Sequence, residues 1–213
     1  MTEEEARTLL AERHYVSRET LDRLGNFVEL LRSESARQNL IARGTFASIW
    51  SRHILDSAQL LSFGPNARTW LDLGTGAGFP GLVIAALSSS QVTMVESRRL
   101  RAEFLERAAS VLQLPATTRV LCDKVERIPT EHYDVISARA FAPIDRLLDL
   151  AERFAAPETR WVLPKGRNAQ SELDALDGSW QGMFHVEPSL TDPDAGIIVA
   201  EQVQRVRGGK RTK

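Results

Sequence analysis

Four glycines within eight residues carry the clearest chemistry in this chain. They lie in the run G-T-G-A-G-F-P-G at residues 74–81, directly after the apolar stretch at residues 69–73. Glycine has no Cβ, so the backbone there can take positive φ angles and lie close against a ligand. An apolar helical pattern resumes at residues 82–87. Strand, glycine turn and helix together predict the first unit of a parallel α/β sheet that binds a nucleotide-like ligand.

The glycine run leaves two classes of ligand open. Residues 76–81 satisfy the dinucleotide pattern G-x-G-x-x-G, which is weak evidence when it stands alone. In the earlier frame, D-L-G-T-G-A-G at residues 72–78 resembles the first motif of the class I S-adenosylmethionine-dependent methyltransferases. A carboxylate at Asp72 would repel pyrophosphate, but it suits the ammonium and sulfonium charges of S-adenosylmethionine. We therefore expect this cofactor, bound in part by Asp72, Gly74, Gly76 and Gly78.

Polar side chains also follow the other predicted strands. Ligands of open α/β sheets bind at the carboxyl ends of the strands, so these side chains should line one cleft. Glu96 ends the second strand about 20 residues after the loop, where an acid commonly binds ribose hydroxyls, although it could instead cap a helix. Arg139 and Lys165 follow the fourth and fifth strands. We expect both cations to face the cleft, although an ion pair for Arg139 and a solvated position for Lys165 remain alternatives.

The strand ends disfavour two kinds of base methylation. Most enzymes that methylate exocyclic amines of bases have an Asn/Asp-Pro-Pro-aromatic motif after the fourth strand, and no such motif occurs here. Methylation of cytosine C5 needs a nucleophilic cysteine, and the single cysteine, Cys122, ends the third strand. Since no general base is recognisable, the cleft fits an acceptor atom that has a free lone pair and needs only to be oriented.

Alternating strands and helices must position these side chains. The predicted strands cover residues 69–73, 91–96, 118–122, 133–137, 160–163, 183–186 and 196–203. The predicted helices between them cover residues 82–87, 100–112, 144–154 and 173–180. This order predicts an α/β fold with a mostly parallel seven-stranded sheet, helices on both faces and an antiparallel hairpin at one edge.

The N-terminal region is predicted to be helical. T-E-E-E at residues 2–5 fits a capping box, apolar residues recur at helical spacing through residues 21–31, and a third helix is expected over residues 46–61. We divide the chain into a helical region at residues 1–64 that packs on the core, a cofactor-binding domain at residues 65–205 and a basic tail at residues 206–213.

Composition restricts the class of protein. The 213 residues are 43% hydrophobic and 26% charged, with a formal net charge of −1, so bulk basicity does not argue for a nucleic-acid partner. Five of the last nine residues are Lys or Arg, which indicates either a solvated tail or part of a surface for a polyanion. One cysteine permits no internal disulfide and no cysteine-rich metal site. The acidic start and the lack of a long apolar run predict a cytoplasmic protein without membrane or metal, and we expect a monomer.

Six motifs together resemble one family. They are N-L at residues 39–40, R-H-I-L-D-S at 52–57, G-T-G-A-G-F-P-G at 74–81, V-E at 125–126, S-A-R-A-F at 137–141 and K-G at 165–166. The combination resembles the bacterial small-subunit ribosomal RNA guanine-N7 methyltransferases, also called glucose-inhibited division protein B, from about residue 20 to 166. The resemblance implies a class I (Rossmann-like) methyltransferase fold and methyl transfer from S-adenosylmethionine to N7 of a guanine in 16S ribosomal RNA. The RNA would be in the small ribosomal subunit or an assembly intermediate.

The same resemblance implies roles for individual residues. Those implied to contact the cofactor are Gly74, Phe79, Val125, Glu126 and Arg139. Those implied to lie near the target base are Asn39, His53 and Lys165, and with Arg139 they form the predicted catalytic set. Because a methylated N7 makes the ring cationic, we expect Arg139 to hold the cofactor carboxylate or an RNA phosphate rather than the base. His53 as a core histidine and Asn39 as a helix-end residue remain alternatives.

The chain departs from the family's pattern in two places, and three other functions remain possible from the sequence. Lys124 stands where the family often has Arg, which keeps the charge but loses bidentate geometry, and residues 168–191 match only loosely. The chain could methylate another RNA or a small molecule, or bind RNA and cofactor without catalysis. A nicotinamide oxidoreductase is the last alternative, but the Y-x-x-x-K signature that such an enzyme would carry is absent.

Overall fold

A seven-stranded mixed sheet forms the centre of the computed structural model, which describes residues 1–14, 16–176 and 178–206. The strands are β1 (Thr69–Leu73), β2 (Gln91–Val95), β3 (Arg119–Leu121), β4 (Tyr133–Ala138), β5 (Ala155–Gly166), β6 (Trp180–Pro188) and β7 (Gly196–Arg205). Their order is β3-β2-β1-β4-β5-β7-β6. The first five strands are parallel, and β7 pairs antiparallel with both β5 and β6. The predicted fold class, with its antiparallel hairpin at the edge, is confirmed.

Helices cover both faces of this sheet. They are α1 (Glu3–His14), α2 (Arg18–Glu34), α3 (Asp56–Ala58), α4 (Gly81–Leu87), α5 (Arg99–Val111), α6 (Ile144–Ala151) and α7 (Ala169–Asp174). One apolar core lies between the sheet and α1, α2, α4 and α5, and a second lies on the α6 and α7 side. Strand order reverses between β1 and β4, so the ends of these two strands flank the position where α/β sheets bind ligands.

The N-terminal helices pack against the sheet's own helices. The apolar face of α2 is buried, and Phe27 on that face lies with its ring centroid 5.6 Å from that of Phe79 and 6.4 Å from that of Phe104 on α5. Glu34 at the end of α2 pairs with Arg107 of α5 at 2.7 Å. The boundaries predicted for the three regions remain an expectation, and residues 207–213 of the predicted basic tail lie outside the described residues.

Three predicted elements differ from the structure. The helix expected over residues 46–61 is a composite, here called the irregular helix: 3₁₀ turn Arg43–Ser48, π-helical Trp50–Leu55, α3 and 3₁₀ turn Gln59–Phe63. The strand expected at residues 160–163 extends over all of β5. The helix expected at residues 173–180 is wrong, because α7 ends at Asp174 and Gly178 adopts φ +77°. Trp180 then starts β6, where its side chain is buried.

Candidate functional site

The glycine loop bends tightly between β1 and α4 and is tied to β2. The Gly74 amide donates to the Val95 carbonyl at 2.9 Å, and the Gly76 amide donates to Glu96 Oε2 at 3.1 Å. Gly74 has φ +67°, and a Cβ there would lie 2.4 Å from Cδ2 of Phe141. A side chain at this position is therefore excluded both by the backbone conformation and by the neighbouring ring.

Asp72 lies beneath the loop rather than in an open cleft. Its side chain is fully buried, Oδ2 accepts a hydrogen bond from the Gly81 amide at 3.0 Å, and Oδ1 accepts one from Ser137 Oγ at 2.8 Å. Burial raises the pKa of Asp72 to about 6, although these hydrogen bonds oppose the rise. The carboxylate thus links β1 to β4 and to the start of α4. Its expected contact with the cofactor remains a prediction, and its visible role is to hold the loop.

A cavity of about 480 Å³, here called the loop cleft, opens beside the glycine loop. Its walls come from the ends of β1, β2 and β4 and from the 3₁₀ turn Val125–Arg127 after β3. Among the residues that line it are Gly74, Glu96, Arg98, Arg101, Lys124, Val125, Glu126 and Phe141. Glu96 Oε1 also accepts from the Arg98 amide at 2.8 Å, so the loop and the next turn orient this acid. Four predicted cofactor residues are thus brought together: Gly74, Glu96, Val125 and Glu126.

Gly78 and Phe79 shape the loop from behind. A Cβ on Gly78 would lie 2.3 Å from Leu82 Cδ1, so α4 packs directly on this residue. Phe79 is buried, and its ring lies 4.9 Å from the His53 ring in a stacked arrangement. Neither residue lines the loop cleft. Their predicted contact with the cofactor remains a prediction, while the structure shows them packing the loop against α2 and the irregular helix.

Arg139, just after β4, joins the irregular helix to the end of this strand. Its Nη2 lies 3.0 Å from His53 Nδ1, its Nη1 lies 3.5 Å from Asp56 Oδ2, and its guanidinium lies over the Phe79 ring at 5.2 Å. Asp56 Oδ1 in turn accepts hydrogen bonds from Gln59 and Thr191 at 2.8 Å each. The predicted residues His53 and Arg139 are therefore in direct contact, within one polar cluster.

His53 is neutral in this cluster. Burial first, and then the positive charges of Arg139 and Arg52, lower the pKa of His53 to about 3. A guanidinium can only donate, so Nδ1 accepts from Arg139 and the ring proton is assigned to Nε2. No described residue accepts a hydrogen bond from the buried Nε2. The imidazole therefore presents a donor rather than a positive charge.

A second cavity, here called the β4–β5 cavity, adjoins the loop cleft. It measures about 490 Å³ and contains residues 139–143, Pro164, Lys165, Gly166 and Glu172 in its walls. Residues 140–142 line both cavities. Lys165 is nearly buried, with its side chain 7% exposed, and its Nζ lies 2.7 Å from the Ala142 carbonyl and 2.8 Å from Glu172 Oε2. It is thus a paired lysine, not the solvated one that the sequence left open.

Asn39 stands apart from the other predicted residues. Its side chain is exposed, and its carbonyl accepts a hydrogen bond from Arg101 Nη2 at 3.2 Å. Asn39 lines a further cavity together with Arg98, Arg99 and Arg101 rather than the β4–β5 cavity. Its predicted place near the target base remains a prediction.

Three site residues received no role from the sequence. Asp56 belongs to the R-H-I-L-D-S motif, but only the fold reveals that it faces Arg139. Phe141 belongs to the S-A-R-A-F motif, and its ring forms the wall between the two cavities. Glu172 lies in the loosely matching region, 28 residues from its partner Ile144, so no sequence pattern marks it.

The loop cleft is lined by side chains of both charges beside the glycine loop. Space is open beside Gly76, where an added Cβ would lie no nearer than 3.7 Å to any atom beyond its chain neighbours. The acids Glu96 and Glu126 line the loop cleft together with Arg98, Arg101, Lys124 and Arg146. Among the described residues, no group of His, Cys, Asp and Glu is placed to hold a metal ion. Within the same ranges, no helix is long and apolar enough to cross a membrane.

Solved structures share this fold. An O-methyltransferase from Bacillus cereus in complex with S-adenosylhomocysteine has a TM-score of 0.57 at 14% identity, covering 91% of this chain and 96% of that one. A putative S-adenosylmethionine-dependent methyltransferase from Methanococcus maripaludis has a TM-score of 0.58 at 14% identity, covering 84% and 94%. The fold is that of the class I S-adenosylmethionine-dependent methyltransferases.

Sequence comparison narrows this class to one family. Residues 20–191 match the family described as rRNA small subunit methyltransferase G. A protein of Novosphingobium aromaticivorans named ribosomal RNA small subunit methyltransferase G is 51% identical over 228 aligned positions, covering 100% of this chain and 99% of that protein. The chain belongs to the rRNA small subunit methyltransferase G family, and its methyl donor is S-adenosylmethionine. The predicted family and cofactor are confirmed. The alternative that the chain is a nicotinamide oxidoreductase is therefore rejected.

Proposed function

We propose that this chain transfers a methyl group from S-adenosylmethionine to N7 of a guanine in small-subunit ribosomal RNA. One observation carries the proposal: in a chain of this family, the loop cleft and the β4–β5 cavity share the wall formed by residues 140–142. A cofactor in the first and a base in the second would lie side by side. Such orientation of two reactants supplies a large part of a catalysed barrier reduction, about 7–11 kcal/mol at the ideal limit.

The loop cleft would hold the cofactor through the residues that line it. Glu96 would receive the ribose hydroxyls, and the glycine loop would pass close beneath the ligand because Gly74 and Gly76 have no side chain. Val125 and Glu126 would close the side formed by the turn after β3. When bound, S-adenosylmethionine supplies a methyl group on a sulfonium, which is a good leaving group.

The charges around the β4–β5 cavity suit a guanine N7 acceptor. N7 has an in-plane lone pair and no proton, so no residue must remove a proton before attack, and the ring becomes positively charged on methylation. Both cations in the walls have a carboxylate partner: Arg139 faces Asp56 at 3.5 Å, and Lys165 faces Glu172 at 2.8 Å. A neutral His53 likewise adds no positive charge. The walls can therefore orient the base without opposing the charge that develops on it.

A methyl-transfer assay tests the proposal. Small ribosomal subunits from cells that lack the modification, and naked 16S RNA, would each receive tritiated methyl groups from the cofactor, and the modified nucleoside would be identified by mass spectrometry. We expect 7-methylguanosine at one guanine on at least one of these substrates. Methyl transfer to another atom or another RNA would contradict the proposal, and cofactor binding without any transfer would support the non-catalytic alternative. An RNA substrate of this kind also places the protein in the cytoplasm, and we propose that it acts there as a monomer.

A further inference from the structure

Glu172 is a carboxylate in the β4–β5 cavity that no sequence motif marks. It lies on α7, and its side chain is 28% exposed. Both of its contacts are to one oxygen: Oε2 lies 2.8 Å from Lys165 Nζ and accepts a hydrogen bond from the Ile144 amide at 3.1 Å. The described residues give no hydrogen bond to Oε1, which remains available in the cavity wall.

The two contacts fix the carboxylate in place. Lys165 is itself held by the Ala142 carbonyl at 2.7 Å and is almost inaccessible to solvent, so it cannot easily turn toward a ligand. Its ammonium pairs with the Glu172 carboxylate in a partly buried site, and the Ile144 amide at the start of α6 sets the direction of the side chain. Lys165 therefore acts as a positioning residue for Glu172.

The cavity has the size and the location of a base-binding site. Its volume of about 490 Å³ falls in the range of about 300–1,000 Å³ that is usual for ligand pockets. Glu172 lines this cavity but not the loop cleft, whereas residues 140–142 line both. Glu172 thus belongs to the part of the β4–β5 cavity that the loop cleft does not share.

We propose that Glu172 selects guanine by accepting hydrogen bonds from the N1–H and N2–H₂ groups of the target base. This inference rests on the proposed function and names the residue that determines its base specificity. Guanine presents two adjacent donors on this edge, which the two free lone pairs of Oε1 can accept together, whereas adenine presents an acceptor at N1. N7 lies at the opposite end of the ring from these two donors, so a base held in this way keeps N7 free of the carboxylate.

The test measures nucleotide binding and does not depend on methyl transfer. Ligand-observed NMR titrations would give dissociation constants for GMP, IMP and AMP with the full chain saturated with S-adenosylhomocysteine. We expect the wild type to bind GMP about 10- to 100-fold more tightly than AMP, with IMP between them because it lacks the N2 amino group. Glu172→Gln replaces half of the acceptor with a donor and should bring the three constants to within about threefold of one another.

Controls separate this role from a structural one. Glu172→Asp keeps the charge beside Lys165 but withdraws the carboxylate, so it should also lose the preference even if Glu172→Gln folds poorly. Asp174→Asn removes an exposed carboxylate from the same helix and should keep the wild-type ratios. All variants should bind S-adenosylhomocysteine within about twofold of wild type, since Glu172 and Asp174 lie outside the loop cleft.

Each outcome decides the inference. A wild type that binds the three nucleotides equally overturns it, and so does a folded Glu172→Gln or Glu172→Asp variant that keeps the preference for GMP. If the preference depends on Glu172 but small subunits receive no 7-methylguanosine, the proposed function fails while the guanine site stands. If 7-methylguanosine forms and the nucleotide ratios are flat, only the present inference fails.

Discussion

Three neighbouring side chains hold the guanidinium of Arg139. Its guanidinium contacts His53, Asp56 and the Phe79 ring, and these three side chains belong to the irregular helix and the glycine loop. Asp56 itself is mostly buried, and burial raises its pKa although the Arg139 charge opposes the rise. The arginine therefore stabilises a buried acid and orients a buried imidazole beside the β4–β5 cavity. We therefore expect Arg139 to affect methyl transfer through geometry, without touching the reacting atoms.

Arg139→Ala should lower kcat/KM for methyl transfer at least tenfold. The change leaves His53 Nδ1 and Asp56 Oδ2 without this partner, and an unpaired buried polar group costs about 1–3 kcal/mol. Initial rates measured with the cofactor and the RNA substrate varied separately will reveal which Michaelis constant or turnover number changes. Arg68→Ala is the matched control, because its side chain is 90% exposed and only 4.0 Å from its nearest acid. Kinetics of Arg139→Ala equal to those of wild type would refute the role given to this residue.

Asp72→Asn should change how stability depends on pH. The folded-state pKa of Asp72 is raised to about 6, above an unfolded value of about 4. The stabilisation from its protonated form is therefore fully present below pH ~4 and is lost as pH rises through about 6. Asparagine cannot ionise, so the variant does not lose this stabilisation. The free energy of unfolding of the variant minus that of wild type should therefore rise by about 1–2 kcal/mol as the pH goes from 5 to 7.5.

Urea unfolding followed by circular dichroism at both pH values would measure this difference. The fitted slopes should agree between variant and wild type, which shows that both unfold from comparably compact states. A difference between the two proteins that does not vary with pH would contradict the raised pKa.

At the scale of elements, the glycine loop depends on a close approach by the residues after β4. A Cβ on Gly74 would lie 2.4 Å from Phe141 Cδ2, and alanine at φ +67° is strained by about 1–2 kcal/mol. Because Phe141 forms the shared wall of the two cavities, Gly74→Ala must displace that wall. We expect the affinity for S-adenosylhomocysteine, measured by calorimetry, to fall at least tenfold.

Gly25→Ala provides the matched comparison. Gly25 lies inside α2, where an added Cβ would meet no atom within 4 Å. Alanine there should raise the free energy of unfolding by about 1 kcal/mol, since glycine is the poorer helix former, and should leave cofactor affinity unchanged. Wild-type affinity in Gly74→Ala would show that Phe141 can move without cost to the site.

Local patterns predicted the elements whose signals lie within a few residues. The apolar run of β1, the glycines after it and the acid that ends β2 each occupy one short stretch, so fold class and loop could be predicted from the sequence. The element predictions that were wrong depend on contacts between residues that are far apart in the sequence. Trp180 is a strand residue because β7 pairs with it at Arg205, and the irregular helix departs from α geometry where Glu3 accepts from the Trp50 and Ser51 amides.

The same distinction holds within the site. Glu96 was predicted to line the ligand cleft because its position follows directly from the strand pattern. Glu172 and Asp56 could not be found in that way, since each matters only through a partner that the fold brings near: Lys165 for Glu172 and Arg139 for Asp56. Lys165 illustrates the converse, because a residue predicted at the cleft is held in an ion pair by a neighbour that the sequence did not reveal.

At the scale of the whole molecule, the positive charge available to RNA comes from a cluster of side chains and not from the net charge. The formal net charge is −1, so attraction to RNA must come from a restricted surface. Five cations line the loop cleft or the cavity that Asn39 also lines, and we call them the basic rim: Arg98, Arg99, Arg101, Lys124 and Arg146. Arg99, 87% exposed, and Lys124, also exposed, extend from this rim into solvent, where they can reach RNA phosphates.

Replacing both Arg99 and Lys124 with alanine should weaken RNA binding and reduce its dependence on salt. Each phosphate contact contributes about 0.7–0.9 to the slope of log affinity against log salt, so two lost contacts should lower the slope by about 1.5. Filter binding of 16S RNA between about 50 and 200 mM salt measures both quantities. The double variant Arg18→Ala/Arg68→Ala removes two charges outside the basic rim and should keep the wild-type slope. If instead the two double variants behave alike, RNA is attracted by the protein's overall field, and the basic rim does not determine where RNA enters.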